Sequence, residues 1–292
     1  MTKQYISATV STQGRPHTDF TKVTLTRHSN IDVEFPTNKR GCYITNLAVL
    51  PGNLLLLTDR DNQSVKLVDP TSGQLLDQLQ LHSTPWGLCL LPGDRAAVTI
   101  PDKSTIQTIA VTHKKLALQN GIQIEGQCSA IDYINDYFVV AFSNPAQVAL
   151  IDTKGKIYKI RISKGFLRKT LFKYPDHICV TTETTGKVIY VSDNGTKTIT
   201  RLSEELQVLQ SFTDPALVNP HGLASVGGGQ LLVVNWGDLS TLSVLDVTTG
   251  QFTSLLGREE ELSYTGCVAV SHTLGTLFVD DWYSCIRQYT FK

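Results

Sequence analysis

Apolar and polar positions along the chain form a phrase that returns six times. Each copy opens on a small or turn residue and runs into a short apolar stretch. A turn, a second apolar stretch, a polar corner rich in Asp and Asn, and a third strand-like run follow. Aligned on the first residue of the inner stretch, the copies begin at Asn46, Gly87, Ser129, His177, Gly222 and Gly266, spaced by 41, 42, 48, 45 and 44 residues. Strand-length apolar runs at that period are the mark of four-stranded propeller blades. In the first copy, Asn46 to Leu50 ends at the turn Pro51-Gly52. Leu54 to Thr58 is continuously apolar up to its last residue, as a strand buried on both faces must be. Asp59 to Asn62 makes the corner, Val65 to Asp69 the third strand, and Leu75 to Leu79 a more polar outer strand.

The last copy stops at Lys292 after three strands. Its fourth is expected from Phe20–Thr26 or Ile31–Phe35, the two strand-like runs ahead of the first copy, so that an N-terminal strand closes the ring and covers its open edge. The predicted fold is therefore an all-β, six-bladed β-propeller over residues 19–292. Residues 1–18, polar and unpatterned, read as a flexible arm or linker.

Neither a Gly-His…Trp-Asp signature nor a repeated Gly-Gly tract is present, which sets the chain apart from WD40 and kelch propellers. The run Ile44 to Asp59, the pair Asn219-Pro220-His221-Gly222-Leu223 and Leu232 to Gly237, and Val188 to Gly195 together resemble NHL and NHL-like repeats. Such repeats occur at the C-terminus of tripartite-motif (TRIM) proteins. The resemblance covers roughly residues 20 to 292 and implies a module that recognises a protein substrate or RNA on behalf of a ubiquitin ligase or post-transcriptional regulator. The chain departs from the full family pattern in having no cysteine/histidine-rich RING or B-box and no coiled-coil heptads.

Composition narrows the partners. With 26 basic and 26 acidic residues the formal net charge is zero, so no global field draws the protein to nucleic acid or an anionic membrane. No run reaches the roughly 20 apolar residues of a membrane span. None of the six cysteines pairs at C-x2-C spacing, and Cys89, Cys179 and Cys267 sit at apolar strand positions. They read as small buried hydrophobes of a reducing, cytoplasmic protein, and neither a metal nor a cofactor is expected.

In a propeller, the lead-in to each inner strand and the corner between second and third strands share one face around the central channel. This gathers Tyr43, Trp86, His177 and His221 from the lead-ins with Arg60, Asp102, Lys103, Trp236, Asp238, Trp282 and Tyr283 from the corners. Aromatics ringed by polar groups are anchors of protein interfaces, although the three tryptophans are equally readable as packing between blades. Lys154 to Lys173 carries eight Lys and Arg residues and no acid, interleaved with aromatics. Here Lys164, Arg168, Lys169, Lys173 and Tyr174 offer the phosphate contacts and stacking platforms that single-stranded RNA requires, or else a solvated outer strand. A small-molecule hydrolase or lyase is the third reading, with His177 and His221 as an acid/base pair, though polar residues lining a wet channel account for them as well. The expectation is a non-catalytic, monomeric recognition module with a protein partner.

Overall fold

The computed structural model describes residues 18–162, 170–238, 240–260, 262–281 and 284–292. They form six antiparallel sheets whose inner strands neighbour one another in a closed ring, a six-bladed β-propeller. Blade 1 holds Ile44–Val49, Leu55–Asp59, Ser64–Asp69 and Gln74–Gln80 from channel to rim. The next four blades repeat it, with inner strands Leu88–Leu91, Cys128–Ile134, Pro175–Glu183 and Pro220–Gly227. Blade 6 contributes Val268–Ser271, Thr276–Asp280 and Cys285–Phe291.

Both N-terminal candidates complete blade 6, where the sequence suggested one. Leu25–Arg27 pairs with Cys285–Phe291 through Leu25↔Phe291 and Arg27↔Tyr289, and Ile31–Asp32 continues along the same strand at Ile31↔Ile286. Thr24 and Lys292 exchange backbone hydrogen bonds of 3.2 and 3.3 Å at the end of the ladder. Ahead of it, the fully buried Phe20 sits in the joint between blades 5 and 6, its N–H donating to Gln230 Oε1 at 2.8 Å. The expected arm falls almost wholly on residues 1–17, outside the described residues.

The core is divided among six joints between neighbouring blades, because each sheet is apolar on both faces. Leu55, Leu57 and Ile44 of blade 1 meet Phe278 and Ile286 of blade 6, and Leu56, Val65 and Leu67 meet Ala96, Val98 and Ile109 of blade 2. Toward the channel, hydroxyls late in the second strands tie one blade to the next. Thr99 Oγ1 donates to Ser129 O at 2.7 Å and Ser192 Oγ to His221 O at 2.5 Å, while Thr45 Oγ1 donates to Trp86 O at 2.9 Å. The inner strands come close enough that a Cβ on Gly222 would lie 2.6 Å from Gly266 O. Glycine is required there by backbone approach. Five of the six cysteines are buried and all six are free thiols.

Candidate functional site

The repeat's polar corner serves folding before it serves a surface. The acid that ends the second strand turns inward and accepts hydrogen bonds from the backbone of its own blade's lead-in. Asp59 takes Tyr43 N at 3.2 Å, Asp193 takes Lys173 N at 2.6 Å, and Asp280 takes Gly266 N at 2.8 Å and Cys267 N at 2.7 Å. Buried acceptors of this kind fix the loops that carry the face. In the corner of blade 1, Asp61 is exposed while Asn62 is buried and donates back to Asp59 Oδ2 at 2.9 Å.

On that face, Arg60 lies with its guanidinium carbon 4.7 Å from the Tyr43 ring centre and 5.7 Å from that of Trp86. The stack joins the corner of blade 1 to the lead-ins of blades 1 and 2 and is a cation–π arrangement. Burial pushes the Tyr43 hydroxyl up to about 12, although Arg60 works in the other direction. Beside Trp86 a cavity of about 310 Å³ opens across blades 2 to 4. Trp86 and Tyr174 form its aromatic lining, Gln127, Ser129 and Asn194 supply neutral polar groups, and Asp176 supplies a carboxylate. Among the described residues, no Lys or Arg lines it. A larger hollow of about 420 Å³ lies among the turns of blades 1 and 2 on the opposite face, and among the described residues its lining has no Phe, Tyr or Trp. Chemistry, more than volume, singles out the channel-side cavity.

Asp176 leads from this cavity to the channel mouth. Its Oδ2 stands 2.7 Å from His221 Nε2, and His221 Nδ1 lies 2.9 Å from Gly266 O. A carboxylate and a carbonyl can only accept, so both ring nitrogens of His221 carry protons and the ring is an imidazolium. Burial opposes that charge, but Asp176 outweighs it and the histidine is raised above its ordinary value.

His177 behaves oppositely. Asn46 Oδ1 accepts from Leu47 N at 2.8 Å, which orients the amide and leaves Nδ2 to face His177 Nε2 at 3.4 Å. The ring therefore accepts at Nε2 and keeps its proton on Nδ1. Burial, and then the charge on His221, push His177 down to about 4, so it is neutral. Blades 1 and 4 lie across the ring from one another, and the Asn46–His177 contact spans the channel. Both nitrogens of His221 are engaged within the chain, and of the two histidines it is His177 that has a ring nitrogen without a partner.

Several other expected residues lie on the same face. Trp236 is half-buried in the corner of blade 5, edge-on to Tyr264 with ring centres 5.7 Å apart, and Asp238 beside it is exposed. Asp102 and Lys103 are exposed on a short 3-10 turn in the corner of blade 2, where Asp102 accepts from Ser83 Oγ. Trp282, Tyr283, Lys164, Arg168 and Lys169 lie outside the described residues. The described part of the basic stretch is spread along the rim of blade 3. Lys154 and Lys156 occupy the turn before the outer strand Ile157–Ile162, away from the channel-side face. Lys159 pairs with Glu205, and Arg161 donates to Leu206 O at 2.8 Å and to Gln207 Oε1 at 3.0 Å on blade 4. Lys173, 5.7 Å from the ring centre of the half-exposed Tyr174, reaches the face.

Asp176 and Asn46 were missed in the sequence. Asp176 directly precedes a residue that was chosen, and an acid beside a lead-in histidine was the available signal. Asn46 gave none, because its partner is 131 residues away.

No protein-family model matches the chain, and no curated protein sequence matches it. Solved structures similar to it include a protein of unknown function from Bacteroides thetaiotaomicron, at 13% identity and a TM-score of 0.71 over 92% of this chain and 76% of that one. A streptogramin B lyase is similar at 9% identity and a TM-score of 0.64, over 92% of this chain and 98% of that one. A protein of unknown function from Bacteroides caccae is similar at 15% identity and a TM-score of 0.65, over 80% and 88%. At these identities the likeness is one of fold.

Proposed function

We propose that this propeller is a non-catalytic recognition module that binds a protein partner on its channel-side face. The observation that carries the reading is the cavity walled by Trp86 and Tyr174 beside the Tyr43–Arg60–Trp86 stack. Half-buried aromatics and an arginine, packed around a hollow and rimmed by neutral polar groups, have the composition of interface anchors. Nucleic acid is the less suitable ligand. Among the described residues, the lining of the cavity holds one carboxylate and no cation, and Lys159 and Arg161 are occupied by blade 4. Phosphates need free basic side chains where the bases stack. The doubly engaged His221 favours binding over hydrolysis or lyase chemistry. Resemblance of the repeats to NHL-type propellers of tripartite-motif proteins supports a role in recruiting substrate to a ubiquitin ligase or regulator. The six free thiols suit a reducing, cytoplasmic setting, with the propeller itself a monomer.

The test compares wild type with Trp86→Ala and Tyr174→Ala in capture from one lysate, with and without ribonuclease. A partner held by wild type should lose about 2 kcal/mol or more of affinity with either substitution, while melting temperature changes little. Retention of the partner by both variants would remove the face from recognition. Loss on ribonuclease treatment would transfer the reading to RNA.

A further inference from the structure

Each aromatic wall of the channel-side cavity carries a cation. The guanidinium carbon of Arg60 lies 5.7 Å from the ring centre of Trp86, and Lys173 Nζ lies 5.7 Å from that of Tyr174. Both rings line the one cavity, so both charges stand beside it. Among the described residues, neither cation pairs with a carboxylate. A ring attracts a cation without neutralising it, so Arg60 and Lys173 keep their charge for an anion.

The lining itself is close to neutral. Its one carboxylate, Asp176, is balanced by the His221 imidazolium. Trp86, Pro101, Tyr174 and Pro175 supply apolar walls. The side chains of Gln127, Ser143 and Asn194 make no hydrogen bond among the described residues. Neutral amides and hydroxyls both donate and accept, and so match the alternating groups of a peptide backbone. At about 310 Å³ the cavity reaches the lower end of ligand-sized clefts.

Charge in the surroundings decides which anion fits. On the loops of blades 1 to 4, Lys39, Arg40, Lys103 and Lys197 are exposed, and so are Asp61, Asp102 and Glu125. The balance is positive, with carboxylates interspersed. A nucleic acid brings a phosphate at every nucleotide and would meet those acids. A peptide sets its carboxylates only where cations stand.

We propose that the segment a protein partner places in this cavity is acidic, with an apolar side chain between Trp86 and Tyr174 and flanking carboxylates paired to Arg60 and Lys173. This rests on the recognition reading above and names the chemistry of the partner's contact. Arg60 can hold a carboxylate through two parallel N–H bonds while its face stays over the rings, and Lys173 acts as a point charge. Gln127, Ser143 and Asn194 then serve the backbone of the segment.

The experiment measures binding of labelled peptides to the full chain by fluorescence anisotropy, at low and at physiological salt. The probes are Glu-Glu-Leu-Glu-Glu, its counterparts with Gln or Lys in place of Glu, and a uridine pentanucleotide. The Glu peptide should bind at least about tenfold tighter than the other two peptides, or 1.4 kcal/mol. That advantage should shrink as salt rises. Arg60→Gln combined with Lys173→Gln should remove it. Lys154→Gln combined with Lys156→Gln takes the same charge from the rim of blade 3 and should leave it unchanged. Lys173→Gln alone, at an exposed side chain, should weaken the Glu peptide even if Arg60→Gln disturbs the aromatic stack. The proposal is overturned if the three peptides bind alike, if the Arg60 and Lys173 variants bind as wild type does, or if the rim variant weakens binding equally. Tighter binding of the pentanucleotide through the same two cations would overturn it in favour of RNA. Preference for the Glu peptide in a chain whose Trp86→Ala and Tyr174→Ala variants keep their captured partner would leave this site standing and the recognition reading refuted. Loss of the partner from those variants, with no preference among the peptides, would refute this site alone.

Discussion

Asp59 and Asp280 end the second strands of adjoining blades, at one position of the repeat, and both are buried. Each anchors the backbone of its lead-in with one carboxyl oxygen. They differ in the other oxygen. Asp59 Oδ2 accepts from Lys66 Nζ at 2.7 Å and Asn62 Nδ2 at 2.9 Å. Lys66, fully buried, also donates to Val33 O at 2.9 Å and so fastens the N-terminal segment to blade 1. Asp280 has no lysine of its own, and its Oδ2 is buried without a hydrogen-bond partner. The repeat demands the acid for folding, and the blade's own residues decide whether its second oxygen is paired.

The largest effect that separates the two corners should come from Lys66→Met. It leaves Asp59 buried without its cation and should cost about 3–5 kcal/mol in urea unfolding, most of it returned by adding Asp59→Asn. Asp280→Asn at neutral pH should show no comparable loss. Equal costs at the two corners would mean that Asp280 has a neutralising partner.

Next in size is a pH effect confined to blade 6. Burial pushes Asp280 from its ordinary 3.8 up to about 6. Between those values the folded chain holds the proton that the unfolded chain has released. Its stability therefore falls as pH rises, the contribution being present below 3.8 and lost above about 6. Roughly two pH units correspond to about 3 kcal/mol. Unfolding free energies of wild type and Asp280→Asn, measured across that window, should diverge by this order in favour of the variant. His177 titrates in the same range with the opposite sign, so only the difference between the two proteins isolates the carboxyl. Parallel curves would place Asp280 at an ordinary carboxylate value.

The smallest contrast is between two glycines. Gly222→Ala forces backbone apart and should cost about 1–3 kcal/mol, the range for overpacking. Gly266→Ala sets its methyl at ordinary contact distance from Asp280 and His221, 3.7 to 3.8 Å, and should leave the melting temperature nearly unchanged. A clear loss of stability at Gly266 would show that the methyl does not fit beside them.

The ring was legible because its evidence is repeated. Six strand-length apolar runs at one period and a last copy lacking its fourth strand identify both the architecture and the need for closure. Tyr43, Trp86 and Trp236 could be placed on the channel-side face for the same reason, since lead-ins and corners alternate with the strands. What the sequence concealed was the division of labour inside a corner. Asp59-Arg60-Asp61-Asn62 reads as four polar residues, but the first is buried and the second lies over two aromatic rings. Local pattern cannot assign these fates, because they depend on Lys66 and on Trp86 in the next blade. In the basic stretch, the described Lys154, Lys156, Lys159 and Arg161 lie along the rim of blade 3, and Glu205, Leu206 and Gln207 on the following blade engage two of them. Asn46 and His177 meet across the channel, a pairing that no spacing encodes.

Closure by the two chain ends has a mechanical meaning. Thr24 and Lys292 pair at the same end of an antiparallel ladder, so tension applied between the ends would peel the ring open one hydrogen bond at a time from that point. Force arriving from the N-terminal side meets Phe20 first, wedged between blades 5 and 6 and tied to Gln230. That side chain acts as strain relief for the seam. The ladder is shielded from a pull on one end and exposed to a pull on the other, so the propeller resists being dragged by its two ends unequally.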